Sequence, residues 1–144
     1  MKIFTIGFTR RAAEDFFTRL SSAGARRLID VRLNNVSQLA GFSKREDLRF
    51  FLKAICDIDY RHLPELAPTQ LLLDAYRKLD HDWDNYAAAF LALIASRHVE
   101  NTLEREMFND ACLLCSEYQP DHCHRRLVAE YLRDCWEGTE IVHL

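Results

Sequence analysis

Residues 115–126 carry the side chains of this chain that are best suited to chemistry. Two cysteines, two histidines, a glutamate and two arginines fall within this segment. It follows an apolar run over residues 111–114, which predicts a buried strand that ends where a helix begins. In α/β proteins ligands bind at such a junction, because strand ends and helix N-termini face a common crevice. The spacing therefore predicts a functional site in this segment.

Cys115 is the predicted reactive group. At the carboxyl end of a strand its sulfur would point into the crevice, near the N-terminus of the next helix. The partial positive charge and free N–H groups of a helix N-terminus lower the pKa of a thiol. His124 is the candidate base, and Glu117 is a second candidate for proton transfer. The alternative is an ordinary buried strand cysteine.

The first turn of the following helix predicts an anion site. Cys123 and His124 would lie in that turn, about 100° apart around the helix axis, so that both border the pocket without pointing at one spot. Free N–H groups and the Arg125 guanidinium would bind a phosphate or a carboxylate there. In the alternative interpretation, His124 caps a carbonyl group and Arg125 pairs with an acid.

The same side chains are candidate metal ligands. Cys115, Cys123 and His124 offer thiolate and imidazole donors, which suit zinc or iron. The spacing of the two cysteines is not that of a zinc finger or a zinc ribbon. Further ligands to such a metal would be Glu117, together with His62 or Glu65 from the end of the third predicted strand.

The cysteine pair has two further interpretations. A disulfide between Cys115 and Cys123 would form a redox switch, because a strand end and a helix start approach each other closely. A thiol phosphatase is not supported, since the signature of that class requires an arginine where this chain has Asp121 or, counted from Cys123, Ala129.

Polar residues at the ends of the other predicted strands would border the same crevice. Asp30 and Arg32 end the second predicted strand and share one side of it, because side chains alternate along a strand. They could act as a general base and an anion clamp, or form only an ion pair that positions the loop. The further candidates for substrate binding are Thr5 and Gly7, which would let a ligand approach the backbone, and His62 and Glu65.

The elements that position these residues alternate between strand and helix patterns. Strands are predicted over residues 3–6, 28–31, 58–63, 111–115 and 140–144, and a polar loop over residues 33–42. Helices are predicted over residues 12–23, from Ser43 onward, over residues 71–79 and 84–97, and from residue 120 or 121 to about 136. Ser43 and Glu46 form a capping box for the second helix, and Ile55 belongs to its buried stripe.

This alternation predicts one fold class. Strand–helix–strand units favour a parallel sheet with right-handed crossovers. We therefore expect a single domain over residues 1–144, with a three-layer α/β/α architecture and a mainly parallel sheet of about five strands. Cys56, Cys112 and Cys135 are expected in the core, as is Trp83.

Composition excludes several classes of protein. The net charge of -3 argues against a dedicated nucleic-acid binder, although arginine pairs such as Arg125–Arg126 leave nucleic acid open as a partner. An apolar run long enough to span a bilayer is absent from the sequence. The N-terminus is predicted to be a strand rather than a signal peptide. Five cysteines, an odd number, then favour a cytoplasmic protein with reduced thiols.

A series of short motifs occurs in order along the chain. They are Thr5-Ile6-Gly7, Asp30-Val31-Arg32, Gly41-Phe42-Ser43, Tyr60-Arg61-His62-Leu63-Pro64-Glu65-Leu66, Leu113-Leu114-Cys115-Ser116-Glu117 and Cys123-His124-Arg125-Arg126. In these motifs the chain resembles the family Domain of Unknown Function 488 (DUF488). The resemblance implies an α/β fold and a common pocket, and it implies no particular reaction. Phe8-Thr9 and Ala67-Pro68-Thr69 depart from the pattern of the family, and the second of these departures would reshape the rim of the pocket.

These observations lead to two hypotheses of function. The first is an enzyme, a cysteine- or carboxylate-dependent hydrolase or transferase, that acts on a small anionic or nucleotide-like substrate. The second is a metal-binding or thiol-redox sensing protein that uses Cys115, Glu117, Cys123 and His124 without turnover. The sequence leaves the oligomeric state open.

Overall fold

The strand and helix patterns of the sequence form one parallel sheet between two layers of helices. The computed structural model of the chain describes residues 1–36 and 41–144. Its strands are β1 (Lys2–Gly7), β2 (Arg27–Asp30), β3 (Asp59–His62), β4 (Ala111–Cys115) and β5 (Glu140–His143). Its α-helices are α1 (Ala13–Ala23), α2 (Arg45–Phe51), α3 (Gln70–Asp74), α4 (Trp83–Arg97), α5 (Val99–Thr102) and α6 (His124–Cys135). The predicted α/β fold is confirmed.

β4 lies at the centre of the sheet, whose strand order is β3-β2-β4-β1-β5. The strand pairs are parallel, and every residue of β4 is buried. Parallel strands end at the same edge of a sheet. The register accordingly pairs Gly7 with Cys115 and Asp30 with His62. The ends of four strands thus meet where the sequence predicts a crevice.

The two faces of the sheet carry separate cores. Ile3, Ile29 and Leu113 pack on one face against residues of α3, α4 and α6. Leu28 and Leu114 pack on the other face against residues of α1 and α2. The chain therefore leaves β4 toward one face, while it leaves the neighbouring β1 and β2 toward the other. This divergence opens the edge of the sheet beside the last residue of β4.

Helix α2 differs from the prediction at both ends. It begins at Arg45, and its N-cap residue Lys44 makes no side-chain cap, so the predicted capping box is wrong. Ser43 lies instead in a 3₁₀ turn, Gly41–Ser43, which puts it too early to cap the helix. Ile55 is 61% exposed rather than buried. The chain continues from α2 as a π-helical segment, Leu52–Cys56, whose wider turn rotates this side chain out of the stripe.

Other boundaries shift for local reasons. The last helix begins at His124 rather than at residue 120 or 121. The hydroxyl of Thr69 caps α3 by accepting a hydrogen bond of 3.1 Å from the Leu72 N–H. The predicted loop over residues 33–42 includes residues 37–40, which lie outside the described residues. Within the described ranges, every helix is too short or too polar to cross a membrane.

Candidate functional site

Cys115 and His124 are in contact at the carboxyl edge of the sheet. Sγ of Cys115 lies 3.3 Å from Nδ1 and 3.8 Å from Nε2 of His124. Cys115 is the last residue of β4 and His124 is the first residue of α6, so the loop between them folds back to bring the side chains together. Both side chains are buried. The structure thus places the two principal predicted groups within hydrogen-bonding distance.

The backbone at the end of β2 sets the protonation of the imidazole ring. Nε2 of His124 lies 2.6 Å from the carbonyl oxygen of Val31. A carbonyl oxygen only accepts hydrogen bonds, so Nε2 must carry the proton in this contact. In the neutral ring Nδ1 is then the unprotonated nitrogen, and it is the ring nitrogen nearer to the sulfur of Cys115. Because the sulfur is almost equally far from both nitrogens, it lies over the ring near Nδ1, and a rotation of the thiol or of the imidazole would bring it in line for proton transfer.

Cys123 joins the same group from the start of α6. It is the N-cap residue, with the extended backbone angles φ −135° and ψ 135°. The prediction that Cys123 and His124 diverge by about 100° is therefore wrong, because that angle applies only inside a helix. The candidate ligand atoms of Cys115, Cys123 and His124 all lie within 4.8 Å of one another. The three side chains form one cluster, which we call the Cys–His cluster.

The two thiols of the cluster differ in their affinity for a proton. Burial raises the pKa of Cys115, but the hydrogen bond from Cys123, the N–H of Ser116 and the charge of Arg125 outweigh it, so that its pKa lies below the ordinary value. Burial and the adjacent Cys115 raise the pKa of Cys123 well above the ordinary value. Of the two thiols, Cys115 is therefore the one that loses its proton more readily, with Cys123 as its hydrogen-bond donor.

Burial also acts on the histidine of the cluster. It lowers the pKa of His124 below the ordinary value, although the nearby Cys123 and the hydrogen bond to Val31 act in the opposite direction. The ring is thus held in its neutral form at neutral pH, and a neutral imidazole can accept a proton. The Phe90 ring packs against the imidazole, with 5.4 Å between the two ring centres, and helps to exclude water from it.

Two cavities adjoin the Cys–His cluster. The larger has a volume of about 270 Å³ and reaches Cys115 and His124 from the end of β2. The smaller, of about 40 Å³, reaches all three cluster residues from the side of α4. The larger cavity is lined by Arg32, Leu33, Asn34, Pro68, Leu73, Arg77, Cys115, Ser116 and His124. The side chain of Glu117 is exposed and borders only the smaller of the two.

Arg77 and Trp83 border these cavities although the sequence does not single them out. Arg77 lines both cavities, and Trp83 lines the smaller one, where its ring stacks on that of His122 at 5.0 Å. The prediction that Trp83 belongs to the core is only half right, since the side chain is partly exposed. A single arginine or tryptophan on a helix is normally a surface or core residue, so the sequence carries no local signal for either.

Asp30 and Arg32 form a buried ion pair. Oδ1 of Asp30 accepts hydrogen bonds from Nε of Arg32 at 2.8 Å and from its backbone N–H at 3.1 Å. Oδ2 accepts from Nη2 of Arg32 at 2.8 Å, from the hydroxyl of Tyr60 at 2.5 Å and from the amide of Asn35 at 3.4 Å. This carboxylate is saturated with donors, which favours the positioning alternative over a general base.

Arg125 makes its hydrogen bonds to other residues of the chain. It is fully buried, and its guanidinium donates to the carbonyl oxygens of Glu117 and Tyr118 and to the hydroxyl of Thr5. It borders neither of the two cavities beside the cluster. The predicted anion contact is therefore replaced by contacts that hold the loop after β4, because that loop passes directly over the guanidinium.

The residues at the ends of β1 and β3, like Arg125, contact other parts of the chain. A Cβ at Gly7 would overlap the carbonyl group of Glu117, so the close backbone approach predicted there is made by the chain rather than by a ligand. Thr5 is fully buried and bonded to Nδ1 of His143 at 2.6 Å. Nε2 of His62 lies 2.9 Å from the carbonyl oxygen of Arg32, and Glu65 lies outside the Cys–His cluster and both cavities.

The Cys–His cluster has a donor set that fits a metal ion. Two thiolates and one imidazole are ligands that zinc prefers, and three protein ligands leave a fourth position open. The N–H of His124 that faces Val31 matches the hydrogen bond that metal-bound histidines commonly make through their second nitrogen. Among the described residues, Glu117, His62 and Glu65 do not join this group, so the ligand set is smaller than predicted.

Comparison with known proteins identifies a matching family. A family model with the description "Domain of unknown function DUF488" matches residues 12–132. The matched range contains the whole Cys–His cluster and the Asp30–Arg32 pair, while β1 and β5 lie outside it. The search of curated proteins and the search of solved structures give no significant match.

Proposed function

We propose that this chain, which belongs to the DUF488 family, is an enzyme in which Cys115 is the nucleophile and His124 its base. The substrate is a small anionic or nucleotide-like molecule, and the reaction is a hydrolysis or a group transfer. The observation that carries the proposal is the 3.3 Å contact between Sγ and Nδ1. The Val31 carbonyl supports it, because it leaves that nitrogen free to accept a proton.

The reaction would proceed through a covalent intermediate. Nδ1 of His124 takes the proton of the Cys115 thiol, and the sulfur attacks an electrophilic carbon or phosphorus atom of the substrate. A bond forms between that atom and sulfur while the bond to the leaving group breaks, and the leaving group receives the proton from His124. Water or another acceptor then attacks the intermediate, loses a proton to His124 and releases the Cys115 thiolate.

The surroundings of the dyad favour a small substrate. A cavity of about 270 Å³ lies just below the range of roughly 300–1,000 Å³ that holds drug-sized ligands. Asp30 as the alternative reactive group is less well supported, because its oxygens already accept several hydrogen bonds. All five cysteines are unpaired, which supports a reducing compartment, and we place the protein in the cytoplasm.

Alkylation of chelator-treated protein by iodoacetamide tests the proposal. Each cysteine is followed by mass spectrometry as a function of pH, with the exposed Cys135 as an internal reference. Cys112 is the negative reference, because complete burial raises its pKa. We expect Cys115 to react faster than Cys135 at neutral pH despite its burial. A Cys115 that reacts only near the ordinary thiol pKa of about 8.5 would contradict a nucleophilic role.

The distances within the Cys–His cluster support a second candidate function, metal binding or redox sensing without turnover. Three ligand atoms within 4.8 Å of one another would hold zinc or iron. Metal analysis of protein purified without chelator separates the two functions. Metal binding requires near-stoichiometric metal, lost in Cys123→Ala and kept in Cys135→Ser. Metal at background level in the wild-type protein would exclude the metal-binding form of the second function.

A further inference from the structure

Arg32 is a buried cation with an unused donor. The side chain is 2% exposed. Nε and Nη2 donate to Asp30, and the ring of Phe8 lies 5.3 Å from the guanidinium carbon. Nη1 is also buried and has no hydrogen-bond partner among the described residues. Buried charged donors are normally paired, so an unpaired one on a residue that borders a cavity is a candidate contact for a ligand.

The Asp30 carboxylate fixes the direction of that donor. It grips the guanidinium along the edge that carries Nε and Nη2. Tyr60 and Asn35 hold the carboxylate in turn, at 2.5 Å and 3.4 Å from Oδ2. A guanidinium held on one edge and covered on one face keeps its remaining nitrogen in a fixed position, so a ligand that reaches it meets a pre-organised donor. Pre-organisation lowers the entropy that is lost when a ligand binds.

The cavity beside this donor has a positive character. Arg32 and Arg77 line it together with Cys115, Ser116 and His124. Among the described residues that line it there is no aspartate or glutamate. Asp30 already balances the charge of Arg32, so Arg77 supplies the unbalanced positive charge. Together the two guanidinium groups can donate to several oxygens of one anion, which suits the tetrahedral phosphate group.

We propose that this cavity binds the phosphate group of a small phosphorylated substrate, with Nη1 of Arg32 as the inner contact and the guanidinium of Arg77 as the outer one. The inference deepens the proposed function and rests on it only for the statement that the bound molecule reacts with Cys115. In this proposal Arg32 binds the substrate, and Asp30 is a positioning residue that orients Arg32 without touching the substrate.

Inorganic phosphate serves as the probe in two independent measurements. Calorimetry measures its binding, and the rate of Cys115 alkylation measures its presence beside the sulfur. Sodium chloride at equal ionic strength controls for screening, and acetate controls for single charge. We expect saturable phosphate binding that slows the alkylation of Cys115 and leaves the alkylation of Cys135 unaffected. The dissociation constant for acetate should be at least about tenfold higher than that for phosphate.

Arginine variants locate the bound anion. Arg77→Gln removes an exposed side chain, so it should fold normally and raise the dissociation constant for phosphate about tenfold. Arg32→Lys keeps the charge but removes the guanidinium, which alone can donate to Asp30 and to the ligand at the same time. This variant should abolish phosphate binding. Arg49 is an exposed arginine on α2 that lies outside this cavity. Arg49→Gln is therefore the matched control and should bind phosphate as the wild type does.

The outcomes separate the phosphate site from the nucleophile. Absence of phosphate binding in protein whose Cys115 is rapidly alkylated would overturn the site and leave the nucleophile standing. Saturable binding that Arg77→Gln weakens, in protein whose Cys115 is unreactive, would support the site and contradict the nucleophile. Binding that acetate matches, or that Arg49→Gln weakens as much as Arg77→Gln does, would overturn the assignment to a phosphate group.

Discussion

The carbonyl oxygen of Val31 accepts the Nε2–H of His124 at 2.6 Å and thereby leaves Nδ1, the ring nitrogen nearer to the sulfur of Cys115, without a proton. Val31 directly follows β2, and its own N–H donates to the carbonyl oxygen of Leu114 in β4 at 3.1 Å. The residue that fixes the tautomer of His124 is thus hydrogen-bonded to β4, the strand that carries Cys115. The reactivity of Cys115 can therefore be tested by substituting the residues around it.

His124→Gln should slow the alkylation of Cys115 at neutral pH by about tenfold or more, since proton transfer by a positioned base contributes roughly 10²–10⁴-fold in catalysis. Glutamine can still donate to the Val31 carbonyl but has no basic nitrogen. The measurement is the rate of iodoacetamide labelling of Cys115 relative to Cys135 in chelator-treated protein. Circular dichroism verifies the fold. Equal labelling rates in the variant and the wild type would show that His124 is not the base.

Cys123→Ala should move the pH dependence of Cys115 alkylation to higher pH. The Cys123 thiol lowers the pKa of Cys115 by donating a hydrogen bond to it, so removal of the donor makes the thiolate less stable. The alkylation rate at a fixed pH below the midpoint should therefore fall. Cys123→Ser retains a donor and should stay closer to the wild type. A shift to lower pH in the alanine variant would reverse the assignment of donor and thiolate.

Gly7→Ala should destabilise the protein by about 3 kcal/mol, the upper part of the range for inserting a methyl group into a packed region. The new Cβ would overlap the Glu117 carbonyl group, which is backbone held in place by Arg125. Gly41→Ala is the control, because a Cβ there meets nothing within 4 Å among the described residues. Urea unfolding measures both variants. Comparable stability of the two would mean that the loop after β4 moves freely.

Asp30→Asn should lower the free energy of unfolding by about 3–5 kcal/mol, because it leaves the buried guanidinium of Arg32 without its counter-charge. Asp59→Asn removes a carboxylate whose ion pair with Lys53 is exposed, and it should cost less than about 1 kcal/mol. Denaturant titration of both proteins gives the comparison. A loss no larger for Asp30→Asn than for Asp59→Asn would show that the pair at the end of β2 contributes little.

Much of the fold is predictable from local patterns. Apolar runs and helix stops place the strands, the central position of β4 and the end of α1 at Gly24, whose left-handed backbone closes the helix. The predictions for α2 and α6 fail at their ends. Ile55 turns outward in a π-helical segment, and Cys123 remains extended before α6. Both outcomes depend on packing against the sheet, and the periodicity of a single segment carries no information about that packing.

The same limit applies to the roles of charged residues. Arg125 and Arg32 are both arginines beside a predicted strand or helix end, and the sequence assigns the same anion contact to each. In the structure Arg125 donates to the carbonyls of Glu117 and Tyr118, while Nη1 of Arg32 remains without a partner among the described residues. Only the path of the loop after β4 distinguishes them.

The order of residues along this chain was enough to identify the family, the parallel α/β architecture and the segment that carries the thiols. The family was identified by the resemblance of the motifs, while the architecture and the segment follow from spacing and periodicity, which are local. The folded chain alone decided which nitrogen of His124 lies nearer to the sulfur, that Cys123 joins the cluster, and that Arg77 comes from a distant helix to the same cavity. These properties are distances between segments far apart in sequence, and such distances exist only once the sheet and its two helix layers have packed.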